Sequence, residues 1–115
     1  VILRSGELYL IRAEARANLD NLIASEEDVN AIRSRAGLPP IVVTDKISLL
    51  MTIEQERRVE LFSENGHRWL DLKRTGRLDA VLGAGKPNWQ PTDALFPIPQ
   101  TERNRNNNLT QNPGY

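Results

Sequence analysis

Proline and glycine divide the chain at about residue 83. Five of the seven prolines lie beyond residue 86, and proline can neither continue a helix nor donate a hydrogen bond within a sheet. Long regular structure is therefore confined to the first 82 residues. Residues 83–115 are predicted to be an irregular segment rich in Pro, Gly and Asn. Because Leu95-Phe96-Pro97-Ile98-Pro99 is apolar, we expect this tail to lie packed on the helical body instead of hanging free.

Apolar residues in the first part of the chain recur at helical spacing. Ser5 is predicted to be the N-cap of a first helix. Two apolar stripes follow it, one formed by Leu8, Ile11, Ala15 and Leu19 and the other by Leu10, Ala13 and Ala17. A helix that is apolar on two faces packs between neighbours, so we expect other helices on both sides of this one.

A second helix is predicted from Ser25 and Asp28, whose spacing resembles a capping box. It ends where Gly37 precedes two prolines, and its expected buried positions are Val29, Ile32 and Ala36. Residues 1–38 are therefore predicted to form an αα-hairpin of the kind found in tetratricopeptide arrays. A single hairpin cannot bury both of its faces, so further helices must flank it.

Residues 45–82 are predicted to contain the longest helix and shorter ones after it. The long helix is expected from about Lys46 to Glu64, capped by Thr44 or Asp45. Its expected buried residues are Ile47, Leu50, Met51, Leu61 and Phe62. Beyond it, the sequence predicts a break at Asn65-Gly66, a helix over His67–Lys73, a stop at Gly76 and one more turn over Leu78–Leu82. The fold class is mainly α.

A charged block lies in the second half of the long helix. Its spacing of three and four residues continues downstream, and the residues concerned are Glu54, Arg57, Arg58, Glu60, Arg68 and Asp71. A catalytic interpretation would pair Glu60, Glu64 or Asp71 for glycoside hydrolysis, which needs one carboxyl group in an apolar pocket. Each of these acids has an arginine within helical reach, which favours the ionised form. We therefore predict a structural ion-pair network across the Asn65-Gly66 break and no catalytic residue.

The composition argues against several other functions. Fifteen basic residues balance fifteen acidic ones, so no nucleic-acid surface is expected. With one histidine and no cysteine, a zinc or two-metal site lacks ligands. No glycine-rich phosphate loop is present, and no cofactor is expected. The chain also contains no run of 18 apolar residues, the length expected of a helix that crosses a membrane. We interpret residues 1–115 as the C-terminal part of a larger domain.

Trp89 and Asn88 are the candidate ligand-binding residues. They lie in the proline-bounded loop Pro87-Asn88-Trp89-Gln90-Pro91, where no helical stripe requires an aromatic side chain. Such a ring can pack on the apolar face of a pyranose while neighbouring amides bond its hydroxyl groups. The alternative is that Trp89 only anchors its loop to the body. Trp69, by contrast, has helical spacing with Leu72 and is expected in the core.

An ordered set of short segments runs through nearly the whole chain. It comprises Arg4, Glu7, Leu10 and Arg12 with Ala13-Glu14-Ala15; Asn30, Arg33 and Arg35-Ala36-Gly37-Leu38; Arg57-Arg58-Val59-Glu60-Leu61-Phe62; Gly66-His67-Arg68-Trp69-Leu70-Asp71-Leu72-Lys73-Arg74; Leu95-Phe96-Pro97-Ile98-Pro99; and Asn108-Leu109-Thr110-Gln111-Asn112-Pro113-Gly114-Tyr115. Together these segments resemble the SusD/RagB family. Two departures are Asn65, where an aromatic residue is common, and Asn107, where a proline often stands.

The resemblance implies a function for the parent protein. Members of this family are lipid-anchored on the outer membrane of Bacteroidetes and form a lid on a SusC-like TonB-dependent transporter. There they capture oligosaccharides, or in some cases peptides, and they have no catalytic residues. The family fold combines tetratricopeptide-like helical pairs with an irregular ligand-binding region. The resemblance also implies that Arg57, Arg58, Glu60, Arg68 and Asp71 determine the fold and that the best-known ligand contacts lie upstream of this chain.

Three functions are therefore weighed against one another. The first is non-catalytic nutrient binding for uptake, with attachment to the membrane through a lipid anchor outside this sequence. The second is a tetratricopeptide-type protein-interaction module without a small ligand, which would need further helical repeats. The third is a carbohydrate-active enzyme, which the arginine beside each candidate acid argues against. We expect the first.

Overall fold

The computed structural model describes residues 4–115, and every regular element in this part of the chain is helical. The elements are α1 (Ser5–Asn18), α2 (Leu22–Arg35), α3 (Lys46–Glu60), α4 (His67–Arg74), α5 (Leu78–Gly85), a short 3-10 helix (Pro91–Ala94) and α6 (Gln100–Arg105). The chain divides into two compact units, the first ending at Arg68 and the second beginning at Trp69. The predicted mainly α fold is confirmed.

The core of the first unit lies where α1 packs against α2 and α3. Its fully buried residues are small or aliphatic: Ala13, Ala17, Val29, Leu49 and Ile53. The two alanines allow α2 to approach α1 closely, and the buried Ser25 hydroxyl donates a 2.6 Å hydrogen bond to the carbonyl oxygen of Ala13. The second apolar stripe of α1, with Leu10, is therefore the buried one.

The first predicted stripe of α1 is not part of this core. Leu8, Ile11 and Leu19 are exposed, because α2 and α3 pack on the opposite side of the helix. The buried face of α3 also differs from the predicted one, since Leu49 and Ile53 are buried while Ile47 and Met51 are exposed. Leu61 is buried as expected, whereas Phe62 is exposed.

Two predicted N-caps are wrong. Ser5 is already the first residue of α1, and Arg4 holds the cap position without a side-chain hydrogen bond. The cap of α2 is Asn21, whose side chain accepts from the backbone N–H of Ala24. Ser25 and Asp28 therefore lie inside α2 and face the protein interior, where they bond to α1 instead of forming a capping box.

Other predicted helix ends are confirmed. Gly37 adopts a φ of 71° after α2, and the N–H of Leu38 donates to the carbonyl of Arg33 at 2.9 Å, which closes the helix in the manner of a Schellman motif. Gly76 ends α4 with a φ of 70°. At the start of α3, the Asp45 side chain accepts from the backbone N–H of Ser48 at 2.8 Å, so Asp45 is the cap.

The connector between α2 and α3 is held against α2 by side chains. The Asn30 side chain bonds both the N–H and the carbonyl of Ile41, at 2.8 and 3.1 Å. Glu26 accepts from the N–H of Val43 at 2.8 Å. Three backbone groups of the connector are therefore satisfied by side chains of α2.

The long helix is shorter than predicted. α3 ends at Glu60, four residues before Glu64, and Ser63, Asn65 and Gly66 follow with positive φ values of 60°, 43° and 70°. Such left-handed residues cannot continue a right-handed helix. The break predicted at Asn65-Gly66 is present, but the turn that produces it begins earlier.

Candidate functional site

Trp89 is held from two sides within the second unit. Its indole N–H donates a 2.8 Å hydrogen bond to Asp79 on α5. Its ring meets the ring of Trp69 edge to face, with centroids 6.1 Å apart and planes inclined at 68°. Trp89 is half-buried. Its indole lies beside Gly83 of α5, close enough that a β-carbon added to this glycine would be in van der Waals contact with the ring at 3.7 Å. These contacts favour the interpretation of Trp89 as an anchor of its loop.

Trp69 also contacts Phe96, so three aromatic rings form one group. The centroids of Trp69 and Phe96 are 5.5 Å apart with planes tilted by 40°. Trp69 is half-buried, while Phe96 is 70% exposed. Trp69 therefore joins the two other rings of this aromatic group (Trp69, Trp89 and Phe96), and Phe96 presents most of its surface to solvent.

Polar residues near the end of the chain fix the backbone that carries Phe96. The side chain of Gln111 accepts from the N–H of Ile98 at 2.7 Å and donates to its carbonyl at 3.1 Å. Asn112 donates to the carbonyl of Phe96 at 2.7 Å, and the Tyr115 hydroxyl donates to the carbonyl of Leu95 at 3.0 Å. An exposed aromatic ring on a backbone held in this way loses little conformational freedom when it binds a ligand.

Asn88 is exposed beside Trp89, in a turn closed by the Trp89 N–H donating to the carbonyl of Lys86 at 3.0 Å. Its amide offers two donors and one acceptor oxygen. Chemically, this end of the second unit combines an exposed aromatic surface with an exposed amide and the Asp79 carboxylate. Such a set suits a ligand that has apolar patches between hydroxyl groups.

The predicted ion-pair residues make several contacts between elements of the first unit. Glu60 bonds Arg4 at 2.7 Å and Arg35 at 2.6 Å, so its carboxylate joins the residues at the start of α1 and the end of α2 to α3. Arg68 on α4 lies 3.2 Å from Glu54 on α3, across the helix break. These pairs connect segments that are distant in sequence.

Arg57 and Arg58 are neighbours with different surroundings. The Arg57 side chain is only 6% exposed, and its guanidinium lies 3.9 Å from the Glu7 carboxylate on α1. Arg58 is exposed. Asp71, in the second unit, bonds Arg74 at 3.0 Å on the same helix.

The acids considered for glycoside hydrolysis are all bonded to arginine. Glu60 bonds Arg4 and Arg35, Glu64 also bonds Arg4, and Asp71 bonds Arg74. These carboxylates are therefore engaged in ion pairs within or between helices. In residues 4–115, no cluster of three or more metal-ligating side chains occurs.

Sequence reasoning missed a second ion-pair cluster, within the hairpin. The buried Asp28 carboxylate on α2 accepts from Arg12 at 3.0 and 2.6 Å and from Arg16 at 2.8 Å, both on α1. Hydrogen bonding to Asp28 raises the pKa of Arg12 above its ordinary value. Outside the hairpin, Arg33 of α2 pairs with the buried Glu56 of α3. The i,i+4 spacing of Arg12 and Arg16 on α1, and the position of Arg33 on α2, could have indicated these pairs once the buried faces were known.

The fold and these contacts define a class of protein: an all-helical protein with arginine–carboxylate pairs between its helices and an exposed aromatic ring, Phe96, in the segment after α5. The SusD family matches this chain over residues 1–89 and 82–115. The chain belongs to the SusD family.

Individual relatives agree with this assignment. The chain is 38% identical to the SusD-like protein P38 of Formosa agariphila over 72% of its own length and 18% of that protein's. With the SusD-like protein P2 of the same organism, identity is 34% over 98% of this chain and 25% of the relative. The chain therefore spans a quarter or less of the length of these relatives.

Solved structures show the same fold. A SusD superfamily protein from Parabacteroides distasonis is 37% identical with a TM-score of 0.83, over 99% of this chain and 27% of that one. A SusD-like protein from Bacteroides fragilis is 31% identical with a TM-score of 0.80, over 100% of this chain and 26% of that one. The helical arrangement described above is therefore a portion of the SusD-like fold.

Proposed function

We propose that this chain is part of a non-catalytic protein that binds oligosaccharides at the cell surface for uptake. Membership of the SusD family supports this proposal most strongly, because surface glycan binding for nutrient uptake is what that membership implies. The protein passes its ligand to a SusC-like TonB-dependent transporter and is attached to the outer membrane by a lipid anchor. In the described part of the chain, no helix is long and apolar enough to cross a membrane.

We also propose that the protein does not hydrolyse the oligosaccharides that it binds. The support for this is the arginine bonded to each of the acids Glu60, Glu64 and Asp71. A retaining or inverting glycosidase uses two carboxyl groups that flank the scissile bond, whereas these three acids are engaged in ion pairs with arginine. Incubation with oligosaccharides should therefore leave their chain length unchanged, as product analysis by chromatography can measure.

Within this chain, the ligand contacts the exposed end of the aromatic group. Of the three rings in the aromatic group, Phe96 has the most open surface. It lies next to the ring of Trp69, and Asn88 supplies an exposed amide beside Trp89. Stacking of a sugar on an aromatic ring buries apolar surface, while hydroxyl groups keep partners on polar side chains. Trp89 and Asn88 are thus proposed as the rim of a contact whose most exposed ring is Phe96.

The experiment is a calorimetric titration with plant, host and microbial oligosaccharides. Both the full natural polypeptide and residues 1–115 are titrated. Binding to the full polypeptide supports the proposed function, and binding to residues 1–115 as well supports a contact in this portion. Binding of peptides but of no oligosaccharide would contradict the proposed ligand class, and hydrolysis of a bound glycan would contradict the non-catalytic role.

A further inference from the structure

The turn between α3 and α4 carries the dipeptide Asn65-Gly66. Asn65 is the only one of the ten asparagines in the chain that is followed by glycine. Asparagine is chemically labile, because its side-chain amide can be attacked by the backbone nitrogen of the next residue. A side chain on that next residue hinders the approach. Since glycine has none, the hindrance in this chain is least at Asn65.

The fold leaves both reacting groups open to solvent. Asn65 and Gly66 are exposed, and a β-carbon added to Gly66 would have no atom within 4 Å. Within residues 4–115, neither the Asn65 side-chain amide nor the Gly66 N–H takes part in a hydrogen bond. The attacking nitrogen and the amide carbon are therefore not held apart by bonds to this part of the chain.

Other asparagines lack one or more of these conditions. The side chains of Asn21, Asn30 and Asn112 are hydrogen-bonded to backbone groups. Asn107 is exposed and lies outside the helices, as Asn65 does. However, the backbone N–H that would attack Asn107 belongs to Asn108 and donates a 3.0 Å hydrogen bond to a neighbouring side chain. Asn107 is therefore the matched comparison for Asn65.

We propose that Asn65 is a site of spontaneous modification in the folded protein, where it cyclises with Gly66 and reopens as isoaspartate or aspartate. The Gly66 nitrogen loses its proton to a base from solvent and bonds to the amide carbon of Asn65. The bond from that carbon to the amide nitrogen breaks, and the nitrogen takes up a proton and leaves as ammonia. One water molecule then opens the cyclic imide. Cleavage at the side-chain carbonyl gives aspartate, and cleavage at the backbone carbonyl gives isoaspartate.

The two products differ in their effect on the start of α4. Both add one negative charge to a chain whose formal net charge is zero. Isoaspartate also adds one carbon atom to the backbone between Glu64 and His67, where the His67 N–H donates to the Glu64 carbonyl at 3.0 Å. His67 lies 3.7 Å from the Glu7 carboxylate, and Arg68 lies 3.2 Å from that of Glu54. The longer backbone should weaken these contacts.

The test uses the full natural polypeptide, incubated in its folded form in mildly alkaline buffer. Trypsin then releases residues 59–68, which contain Asn65, and a peptide that begins at residue 106 and contains Asn107. Mass spectrometry detects each conversion as the replacement of an NH group by oxygen. Residues 59–68 should convert at least about tenfold faster than the other peptide, a difference of about 1.4 kcal/mol in activation free energy. An isoaspartyl methyltransferase should label the same residues.

Asn65→Gln is the control variant, because glutamine must close a larger ring, and its residues 59–68 should stay unchanged. If residues 59–68 of the wild type convert no faster than the comparison peptide, or convert only in urea, the folded turn protects Asn65 and the proposal is overturned.

The effect on stability has its own measurement. The isoaspartate form, separated by ion exchange, should have a lower urea midpoint than freshly prepared Asn65→Asp, which adds the charge without lengthening the backbone. Equal midpoints would overturn the proposed weakening of the start of α4.

Discussion

Arg12 donates two parallel hydrogen bonds to the Asp28 carboxylate, from Nε at 3.0 Å and from Nη2 at 2.6 Å. The two residues lie on different helices of the hairpin, and their exposure is unequal. The Asp28 side chain is 4% exposed and that of Arg12 is 53% exposed. The carboxylate is therefore inside the protein, and the arginines that neutralise it, Arg12 and Arg16, reach it from the surface.

This asymmetry predicts an order of stabilities. Replacing both Arg12 and Arg16 with alanine removes the two arginines that neutralise the buried Asp28 carboxylate. Asp28→Ala instead leaves two arginines whose side chains can turn to water. The double variant should therefore have a lower urea midpoint than Asp28→Ala, and adding Asp28→Ala to the double variant should recover part of the loss. Equal midpoints for the double variant and for Asp28→Ala would contradict this account of the pair.

Acid should weaken the start of α3. The backbone N–H of Ser48 donates to Asp45 and lowers the pKa of that carboxyl group below its ordinary value. A lowered folded-state pKa means that the stabilisation is present above the unfolded-state pKa, near 3.9, and is lost as pH falls through the folded-state value. Asp45→Asn keeps an N-cap without a titrating group. We therefore compare the free energies of unfolding of the wild type and Asp45→Asn in urea. The wild-type value minus the Asp45→Asn value should be smaller at pH 3 than at pH 6.

The neighbours Arg57 and Arg58 provide a matched pair. Arg57→Ala removes a buried guanidinium next to Glu7, and breaking a buried pair costs about 3 kcal/mol, so the Tm should fall clearly. Arg58→Ala, at an exposed position, should change the free energy of unfolding by no more than about 0.5 kcal/mol. The Arg57→Ala variant should bind ligand normally wherever it remains folded. Unchanged melting together with lost binding would give Arg57 a role in recognition instead of structure.

The bond from Trp89 to Asp79 can be followed by fluorescence. Asp79→Ala removes the acceptor of the indole N–H and should cost about 1 kcal/mol. The loosened indole becomes more exposed, so tryptophan emission should shift to longer wavelength and quenching by iodide or acrylamide should increase. Glu102→Ala, in the exposed helix α6, is the control and should alter neither signal. An unchanged emission maximum for Asp79→Ala would mean that the ring contact with Trp69 alone holds the loop.

Local signals in the sequence were sufficient to predict much of the fold. Gly37 and Gly76 end helices through a left-handed φ that glycine adopts without strain, and Asp45 caps α3 through its own side chain. These features depend on residues within five positions of each other. Apolar spacing, together with such caps and breaks, also predicted helices at the positions of α1 to α4 and a further turn at that of α5.

Other features depended on tertiary packing and could not be predicted locally. Both stripes of α1 have helical spacing, and only the packing of α2 and α3 decides that Ala13 and Ala17 are inside. The capping-box interpretation of Ser25 failed because Asn21, four residues earlier, starts the helix and turns Ser25 towards Ala13. The contacts of Trp89 with Asp79 and Trp69 span ten and twenty residues, so the loop sequence did not reveal them.

The candidate ligand contact also divides into a part that the local sequence indicated and a part that depends on tertiary packing. The sequence singled out Trp89 and Asn88 because of their loop, while the structure adds Phe96 as the most exposed ring of the aromatic group. Phe96 follows Leu95 in an apolar stretch, which by itself indicated packing. Gln111 and Asn112 bond the backbone of Ile98 and Phe96 from thirteen to sixteen residues away, and the apolar stretch did not reveal these contacts.

The most direct test is the affinity of Phe96→Ala for the oligosaccharide that the full natural polypeptide binds. Phe62→Ala is the matched control, since Phe62 is 78% exposed and lies in the other unit. Loss of a stacking aromatic at the centre of a contact costs about 1–3 kcal/mol, or roughly 5- to 150-fold in Kd. We expect such a weakening for Phe96→Ala and an unchanged Kd for Phe62→Ala. Equal affinity of the wild type and Phe96→Ala, with both proteins folded, would contradict the proposed ligand contact.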